Sequence, residues 1–463
     1  MTRRKLLAVT SAAPFLASSA RGNGLPESKA GTPSSLGAPS QSTLEDQRTA
    51  WYRDAKFGMF VHWGPYSLAS VEASWPIMRP SAQFKITEEE YRALPQRFNP
   101  TQFDADALVQ LAKSAGQRYI VFTSKHHDGF CMFDSDFTTY KITNTPYKKD
   151  IVEQLAAACR RQKMTLGLYY SPPDMNHPGF RDTSKLASEN WNGEPTRELW
   201  PTYLSYMELQ LRELLTRYGD VAVIWFDGLY NQRKFDGLRM ERAIVALQPQ
   251  TLINNRIGIP GDFETPEEFL PASIPVKGKT LDFDHRDTGT KRDYVPTREE
   301  FRLWETCMTI NNTWAYNEND RNFKSSQYLI RALVEVASRG GNFLLNVGPG
   351  PDGTIQPEFQ ERLRAIGKWM ALNGESIYGT TYGPIQGSPA VLTTAKGSDI
   401  FVQVFDWPGA ELQLSGAALP KLRSVSLLAT GEPLKFQQKN GLTIKLPAQA
   451  PDPDVTVIKL RAV

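Results

Sequence analysis

A carboxylate stands two residues after a tryptophan in Val221-Ala-Val-Ile-Trp225-Phe-Asp227-Gly228. The run before it is apolar and mostly β-branched, too short for a helix and suited to a strand buried on both faces. Gly228 ends it, so Asp227 falls where a buried strand empties into a loop. In a barrel of parallel strands that C-terminal rim carries the catalytic groups. An acid beside an indole suits a sugar subsite, where the carboxylate works and the aromatic face packs on the ring. An Asp at a strand end is also commonly just a turn or helix-capping residue. The stretch alone leaves both readings open.

Further polar and aromatic groups recur at the ends of apolar runs. His62 follows Phe57-Gly-Met-Phe-Val61, and His126-His127-Asp128 follows Tyr119-Ile-Val-Phe-Thr-Ser124. Tyr169 closes Thr165-Leu-Gly-Leu, Asn255-Arg256 closes Thr251-Leu-Ile-Asn, and Trp304-Glu305 lies near a sixth run. A ring of such groups is what a barrel active site requires, because only the C-terminal strand ends share one face. The His pair with Asp128 raises the question of a metal. Adjacent strand residues face opposite sides, and a zinc site needs three ligands at workable spacing. Hydrogen bonding to sugar hydroxyls is the better reading, since imidazole offers a donor and an acceptor. No G-x-S-x-G elbow is present, and Cys131 has no cationic neighbour in sequence to activate it. What remains is carboxylate chemistry, and glycoside hydrolysis needs two carboxyl groups. Asp227 is the first. The second is sought in Gly261-Asp-Phe-Glu264-Thr-Pro-Glu267-Glu268, an acid-rich segment that follows soon after.

The elements that must position these groups alternate along the chain. Helical spacing over Asp104–Ala115, Asp150–Gln162, Tyr203–Tyr218, Arg239–Leu247, Ser325–Ser338 and Gln356–Leu372 separates the apolar runs, the last of which is Asn342–Val347. Strand and helix in alternation mean a parallel sheet with helical crossovers. Seven candidate strands predict a (β/α)8-like barrel with one strand unassigned, an open doubly wound sheet being the fallback. Residues 257 to about 300 lack periodicity, and a loop of that length is uncommon unless functional. No Gly-rich phosphate fingerprint follows any strand. After about Tyr382 the runs alternate with period two, as in Asp399–Phe405 and Leu442–Leu446, with Asn440-Gly441 as a turn signal. The reading is a catalytic (β/α)8-like domain over 44–380 and a C-terminal antiparallel β-sandwich over 381–463.

Composition narrows the class. The chain has 463 residues, with 53 basic and 50 acidic side chains, so no charge excess draws it to nucleic acid or anionic lipid. Its three Cys are far apart and odd in number, which argues against a disulfide framework. The N-terminus runs from Arg3-Arg4-Lys5 through a short apolar core to Ala-Ser-Ser-Ala20. This is the pattern of an export signal over residues 1–20, and the paired arginines suit the twin-arginine route. The apolar core is too short to span a bilayer. Residues 21–43 read as a disordered Ser/Gly/Pro linker. The expected location is the periplasm or outside the cell.

The motifs taken together resemble those of the α-L-fucosidases of glycoside hydrolase family 29. They are Phe57–Gly64, Lys125-His-His-Asp-Gly-Phe130, Trp225-Phe-Asp227-Gly228, Trp304-Glu305 and Gly341-Asn-Phe-Leu-Leu-Asn-Val-Gly-Pro349, and they occur in the family's order. The resemblance implies a (β/α)8-like domain with a C-terminal β-sandwich, no metal or other cofactor, and an exo-acting retaining hydrolysis of terminal fucosyl residues. The substrate would be a fucosylated oligosaccharide or glycoconjugate, and a homo-oligomer is left open. By the same resemblance Asp227 is the nucleophile, with Trp225 shaping its pocket and Arg256 nearby. His62, His126, His127, Tyr169 and Trp304 are placed in the substrate-binding set. Glu72 and Trp75 stand for a Glu-Trp pair that contacts the sugar, although two residues separate them here. Glu267 is the first choice for acid/base, with Glu305 and Glu264 as alternatives. Two rivals are a fucose-binding protein without catalysis on the same scaffold and a metal-dependent hydrolase using the His pair.

Overall fold

The computed structural model describes residues 44–193, 198–229, 232–271, 301–385, 390–414, 419–439 and 441–463. The expected export signal and linker, residues 272–300 of the long loop, and Asn440 of the turn lie outside them.

Seven parallel strands form the central sheet. They are β1 (Phe57–Val61), β2 (Tyr119–Lys125), β3 (Thr165–Tyr170), β4 (Val223–Phe226), β5 (Leu252–Ile253), β6 (Glu305–Thr309) and β7 (Asn342–Val347). Their spatial order is β5-β4-β3-β2-β1-β7-β6. Every residue of β1, β2, β4, β6 and β7 is buried. This explains why their sequences run apolar without alternation: both faces are covered, one by the barrel interior and one by helices.

The sequence reading left one strand unassigned, and the structure locates its substitute. Residues 262–268, read as loop, run between β5 and β6 as an irregular parallel element. Asn254 pairs with Phe263, Glu264 with Trp304 and Glu267 with Cys307. Backbone bonds tie both sides: Asn255 N donates to Phe263 O at 3.1 Å, and Glu305 N to Glu264 O at 2.8 Å. Hydrogen bonding therefore passes round the whole ring, as a (β/α)8-like barrel requires. Pro266 and mixed polarity hide this element from any periodicity test, because it is paired by isolated bridges rather than by a ladder.

The helices begin where their caps place them. Asp104, Asp150 and Ser325 each accept the N–H of the residue three further on, opening helices Ala105–Ser114, Ile151–Gln162 and Ser326–Ser338. From Thr381 on, the strands are antiparallel. β8 (Thr381–Tyr382), β9 (Val391–Lys396), β10 (Asp399–Val404), β12 (Leu422–Leu427) and β15 (Thr456–Ala462) make one sheet. The other holds β11 (Glu411–Leu414), β13 (Phe436–Gln438) and β14 (Leu442–Lys445). Val402, Leu442, Ile444 and Ile458 share a core between them. Trp369 of the last barrel helix donates to Val455 O at 2.9 Å, joining this sandwich to the barrel. The three Cys are buried thiols. Among the described residues no helix is long and apolar enough to cross a membrane.

One ion pair anchors the rim. Lys125 Nζ, at the end of β2, bonds Asp174 Oδ2 at 3.0 Å with both side chains almost fully buried. Gly129 turns the chain beside it at φ 84°, where a Cβ would fall 2.1 Å from Asp174 Oδ1. Removing one partner strands a buried charge, which costs about 3–5 kcal/mol. Asp174→Asn should therefore lower unfolding free energy by roughly that amount in urea titrations. A change well under 1 kcal/mol would mean that the pair is not the anchor described.

Candidate active site

The loops at the C-terminal ends of the strands enclose a cavity of about 470 Å³. Asp227, one residue past β4, lies on its wall with its side chain 17% exposed. Its backbone is braced on both sides. Asp227 N donates to Tyr170 O at 3.2 Å, and Gly228 N to Arg256 O at 3.0 Å. The Asn254 amide pairs with the backbone of Phe226 through two 2.9 Å bonds.

Three contacts hold the Asp227 carboxylate. Tyr169 Oη donates to Oδ2 at 3.0 Å, Arg256 Nη1 donates to Oδ1 at 3.1 Å, and His127 Nε2 lies 3.4 Å from Oδ2. Trp225 packs beneath, stacked on Tyr169 at 5.7 Å with the Arg256 guanidinium 4.7 Å over its ring. Burial opposes the charged form of Asp227. The His127 contact and the Arg256 charge outweigh it and hold the carboxyl well below the usual carboxylate range.

Arg256 is itself fixed from behind. Its Nε donates to Thr265 Oγ1 at 2.8 Å and its Nη2 to Thr265 O at 2.9 Å. The same Nη1 that bonds Asp227 also bonds Glu267 Oε2 at 2.8 Å. Two carboxylates from different elements thus meet on one nitrogen. Burial alone would weaken the guanidinium's charge, but Glu267 and Asp227 push its pKa up instead.

The histidines form the opposite wall. His126 and His127 stand beyond the end of β2, in the turn that Gly129 permits, so both rings face the cavity with centroids 4.3 Å apart. Opposite-face alternation applies within a strand, and it stops one residue too early to separate them. Each ring is oriented by a hydroxyl: His126 Nδ1 lies 2.6 Å from Ser74 Oγ, and His127 Nδ1 lies 2.6 Å from Ser171 Oγ. His62 Nδ1 meets Asn346 Oδ1 at 2.8 Å. Burial lowers the pKa of His62 to about 4 and that of His126 well below its ordinary value, so both rings are neutral at pH 7. Asp128 turns away from the cavity, accepting bonds from Tyr91 Oη at 2.9 Å and Phe130 N at 3.0 Å.

Four expected site residues lie elsewhere. Trp304 and Glu305 were read as a strand end, but β6 starts at Glu305, so they sit at the opposite end of the strand from the rim. The Trp304 indole donates to Arg339 O at 3.2 Å, and the residue is buried. Glu305 lies inside the barrel below the cavity, accepting Trp225 Nε1 at 3.1 Å and the Tyr119 hydroxyl. It is a support for Trp225 and does not reach the cavity. Glu264 falls on the alternate face of the irregular element from Phe263 and Thr265; its carboxylate is buried 3.9 Å from Arg302 Nε. Glu72 is set behind the wall and accepts Trp314 N at 3.0 Å on each oxygen. The two residues between Glu72 and Trp75 account for this: Ser74 goes to His126 while Trp75 alone reaches the cavity.

Sequence reasoning missed Trp314, which lines the cavity 5.0 Å from the His62 ring. Ending β6 at Thr309 would have brought Asn311-Asn-Thr-Trp314 into the ring of strand ends. It also missed Phe60, Leu229 and Gln232 on the wall and gave Glu268 no role. Cys307 lines the cavity too, but burial pushes its thiol well above its ordinary range, so it is no nucleophile.

A carboxylate pair on a barrel rim, walled by imidazoles and indoles with no activated Ser or Cys among the described residues, is the equipment of a glycoside hydrolase. Comparison narrows the class. The chain belongs to the α-L-fucosidase family, whose model matches residues 26–375. It is 29% identical over 429 residues to plasma α-L-fucosidase of Homo sapiens, covering 87% of this chain and 86% of that one. Among solved structures it resembles α-L-fucosidase isoenzyme 1 of Paenibacillus thiaminolyticus, with TM-score 0.79 and 33% identity over 90% of this chain and 99% of that one. A family 29 α-L-fucosidase of Bacteroides thetaiotaomicron, solved as a trapped covalent intermediate, superposes with TM-score 0.74 and 27% identity, covering 92% and 98%.

The Glu305 carboxyl has its pKa raised by burial from 4.5 to about 7. A carboxyl whose folded pKa exceeds its unfolded one contributes stability at low pH and loses it as pH rises through the folded value. Glu305→Gln removes that loss. The stability of the variant relative to wild type should therefore rise between pH 4.5 and 7, as read by thermal unfolding across pH. Parallel profiles for the two proteins would contradict the placement of Glu305.

Proposed function

We propose that this protein is an exported, exo-acting, retaining α-L-fucosidase that releases terminal fucosyl residues from fucosylated oligosaccharides or glycoconjugates. The observation that carries the retaining mechanism is the shared nitrogen of Arg256. With Asp227 Oδ1 at 3.1 Å and Glu267 Oε2 at 2.8 Å from it, those two oxygens are no more than about 5.9 Å apart. Retaining pairs stand about 5–5.5 Å apart, whereas inverting pairs need roughly 6.5–9.5 Å to admit a water. The covalent intermediate trapped in the B. thetaiotaomicron relative is in keeping with this reading.

In the first step an Asp227 oxygen bonds the anomeric carbon as its bond to the glycosidic oxygen breaks, and Glu267 passes its proton to the departing oxygen. Asp227 loses its charge in forming the ester while Glu267 gains one. Arg256 touches both, so its electrostatic contribution moves from one to the other without reorganisation. In the second step Glu267 takes a proton from water, which attacks the same carbon and frees Asp227. His62, His126, His127 and Tyr169 bond the fucose hydroxyls, and Trp225, Trp75 and Trp314 pack on the deoxy-sugar ring.

Asp227→Ala should abolish turnover of an aryl α-L-fucoside while leaving the fold intact by circular dichroism; near-normal turnover would remove it from the nucleophile role. Glu267→Ala should lower kcat on a fucosyl disaccharide by roughly 10²–10⁴. Azide should restore turnover on an activated aryl fucoside and yield fucosyl azide, and equal, unrescued loss on both substrates would exclude Glu267 as acid/base. Export rests on Arg3-Arg4 ahead of the apolar core. Replacing both arginines by lysine should leave the activity in the cytoplasmic fraction, and unchanged export would exclude the twin-arginine route.

A further inference from the structure

Trp75 presents one side to the cavity, its ring 6.4 Å from that of His127. Its other contacts lead outward. The Arg79 guanidinium stands 5.5 Å from the Trp75 ring and 4.5 Å from the ring of Trp191, between two indoles no more than about 10 Å apart. Arg79 is exposed, and both indoles are half-buried. The stack is thus a surface feature that begins at the cavity wall.

Its outer end is tied back to the cavity by a second route. Asn192, next to Trp191, accepts a hydrogen bond through its backbone carbonyl from Lys234 Nζ. Lys234 is seated over Phe180 and Phe235 at 5.1 and 5.2 Å. Two residues before it, Gln232 lines the cavity. Trp191 is therefore held by two segments that each contribute a wall residue.

We propose that Arg79 and Trp191, stacked on from Trp75 of the cavity wall, form a leaving-group subsite that holds the sugar chain beyond the fucosyl bond. This rests on the fucosidase reading. The chemistry suits a neutral oligosaccharide. Partly exposed indoles offer apolar faces and edges to the C–H side of pyranose rings. A guanidinium kept planar against them donates N–H to hydroxyl and ring oxygens with little ordering left to impose. A chain long enough to run along the stack gains from it, and an aryl fucoside does not.

The test compares an aryl α-L-fucoside with two glycans in whichever linkage wild type cuts fastest, a fucosyl disaccharide and the trisaccharide that extends it by one sugar. The ratio of kcat/KM for the trisaccharide to that for the aryl fucoside should fall about tenfold in Trp191→Ala and in Arg79→Ala, mainly through KM. Arg79→Lys keeps the charge and loses the plane, and the ratio should fall there too. The aryl fucoside reports whether each variant retains a folded site. A ratio unchanged within about twofold in all three variants overturns the inference alone. So does a parallel fall on every substrate, which would make the stack a structural prop. Absence of turnover on any fucoside by wild type overturns the fucosidase reading and this subsite with it.

Discussion

The site depends on one guanidinium with two carboxylates on the same nitrogen. Arg256 is buried, and a buried cation persists only if it is paired and its remaining donors are satisfied. Asp227 and Glu267 pair it, Thr265 takes two further bonds, and Trp225 covers its face. Each partner comes from a different part of the barrel: Asp227 from the end of β4, Arg256 from beyond β5, and Glu267 and Thr265 from the irregular element before β6. The barrel must close for these contacts to exist, and the contacts in turn hold the irregular element where an eighth strand would stand.

Around this trio His62, Glu72 and Glu305 are pushed toward their neutral forms. Burial lowers the pKa of His62 to about 4 and raises that of Glu72 to about 8 and Glu305 to about 7. These groups lack the pairing that Asp227 has, so desolvation decides their state. Charge is concentrated where the proposed reaction creates and consumes it. The neutral imidazoles of His62 and His126 keep a donor and an acceptor for hydroxyl groups, and the Glu305 and Glu72 carboxyls behind the wall support Trp225 and Trp314.

How much of this was legible in the sequence depends on whether a residue's role follows from its neighbours in the chain. The ends of β1 to β5 could be read because each is an apolar run with an abrupt polar stop, and parallel strands put all such stops on one face. His62, His126, His127, Tyr169, Asp227 and Arg256 were found in that way, and family resemblance added Trp75 and Glu267. The same logic failed at β6, where Trp304-Glu305 was read as a stop and is a start. That shift sends Glu305 below the cavity, removes Trp304 from the site and hides Trp314. The element carrying Glu267 had no period to read, since its hydrogen bonds come from β5 and β6 and not from a pattern of its own.

From the chain alone follow the barrel class, the strand ends that line the cavity, and a set of acidic residues that includes both Asp227 and Glu267. Burial on two faces dictates composition, and the alternation of strand and helix dictates topology, so both are written locally. Only the tertiary structure decided which carboxyl faces Asp227, which histidines share a wall, and which carboxyls turn to the backbone or the barrel interior. Those outcomes depend on distances of a few ångströms between segments tens of residues apart. A sequence orders its residues along the chain, and it is the closed ring that places Asp227 and Glu267 on one arginine.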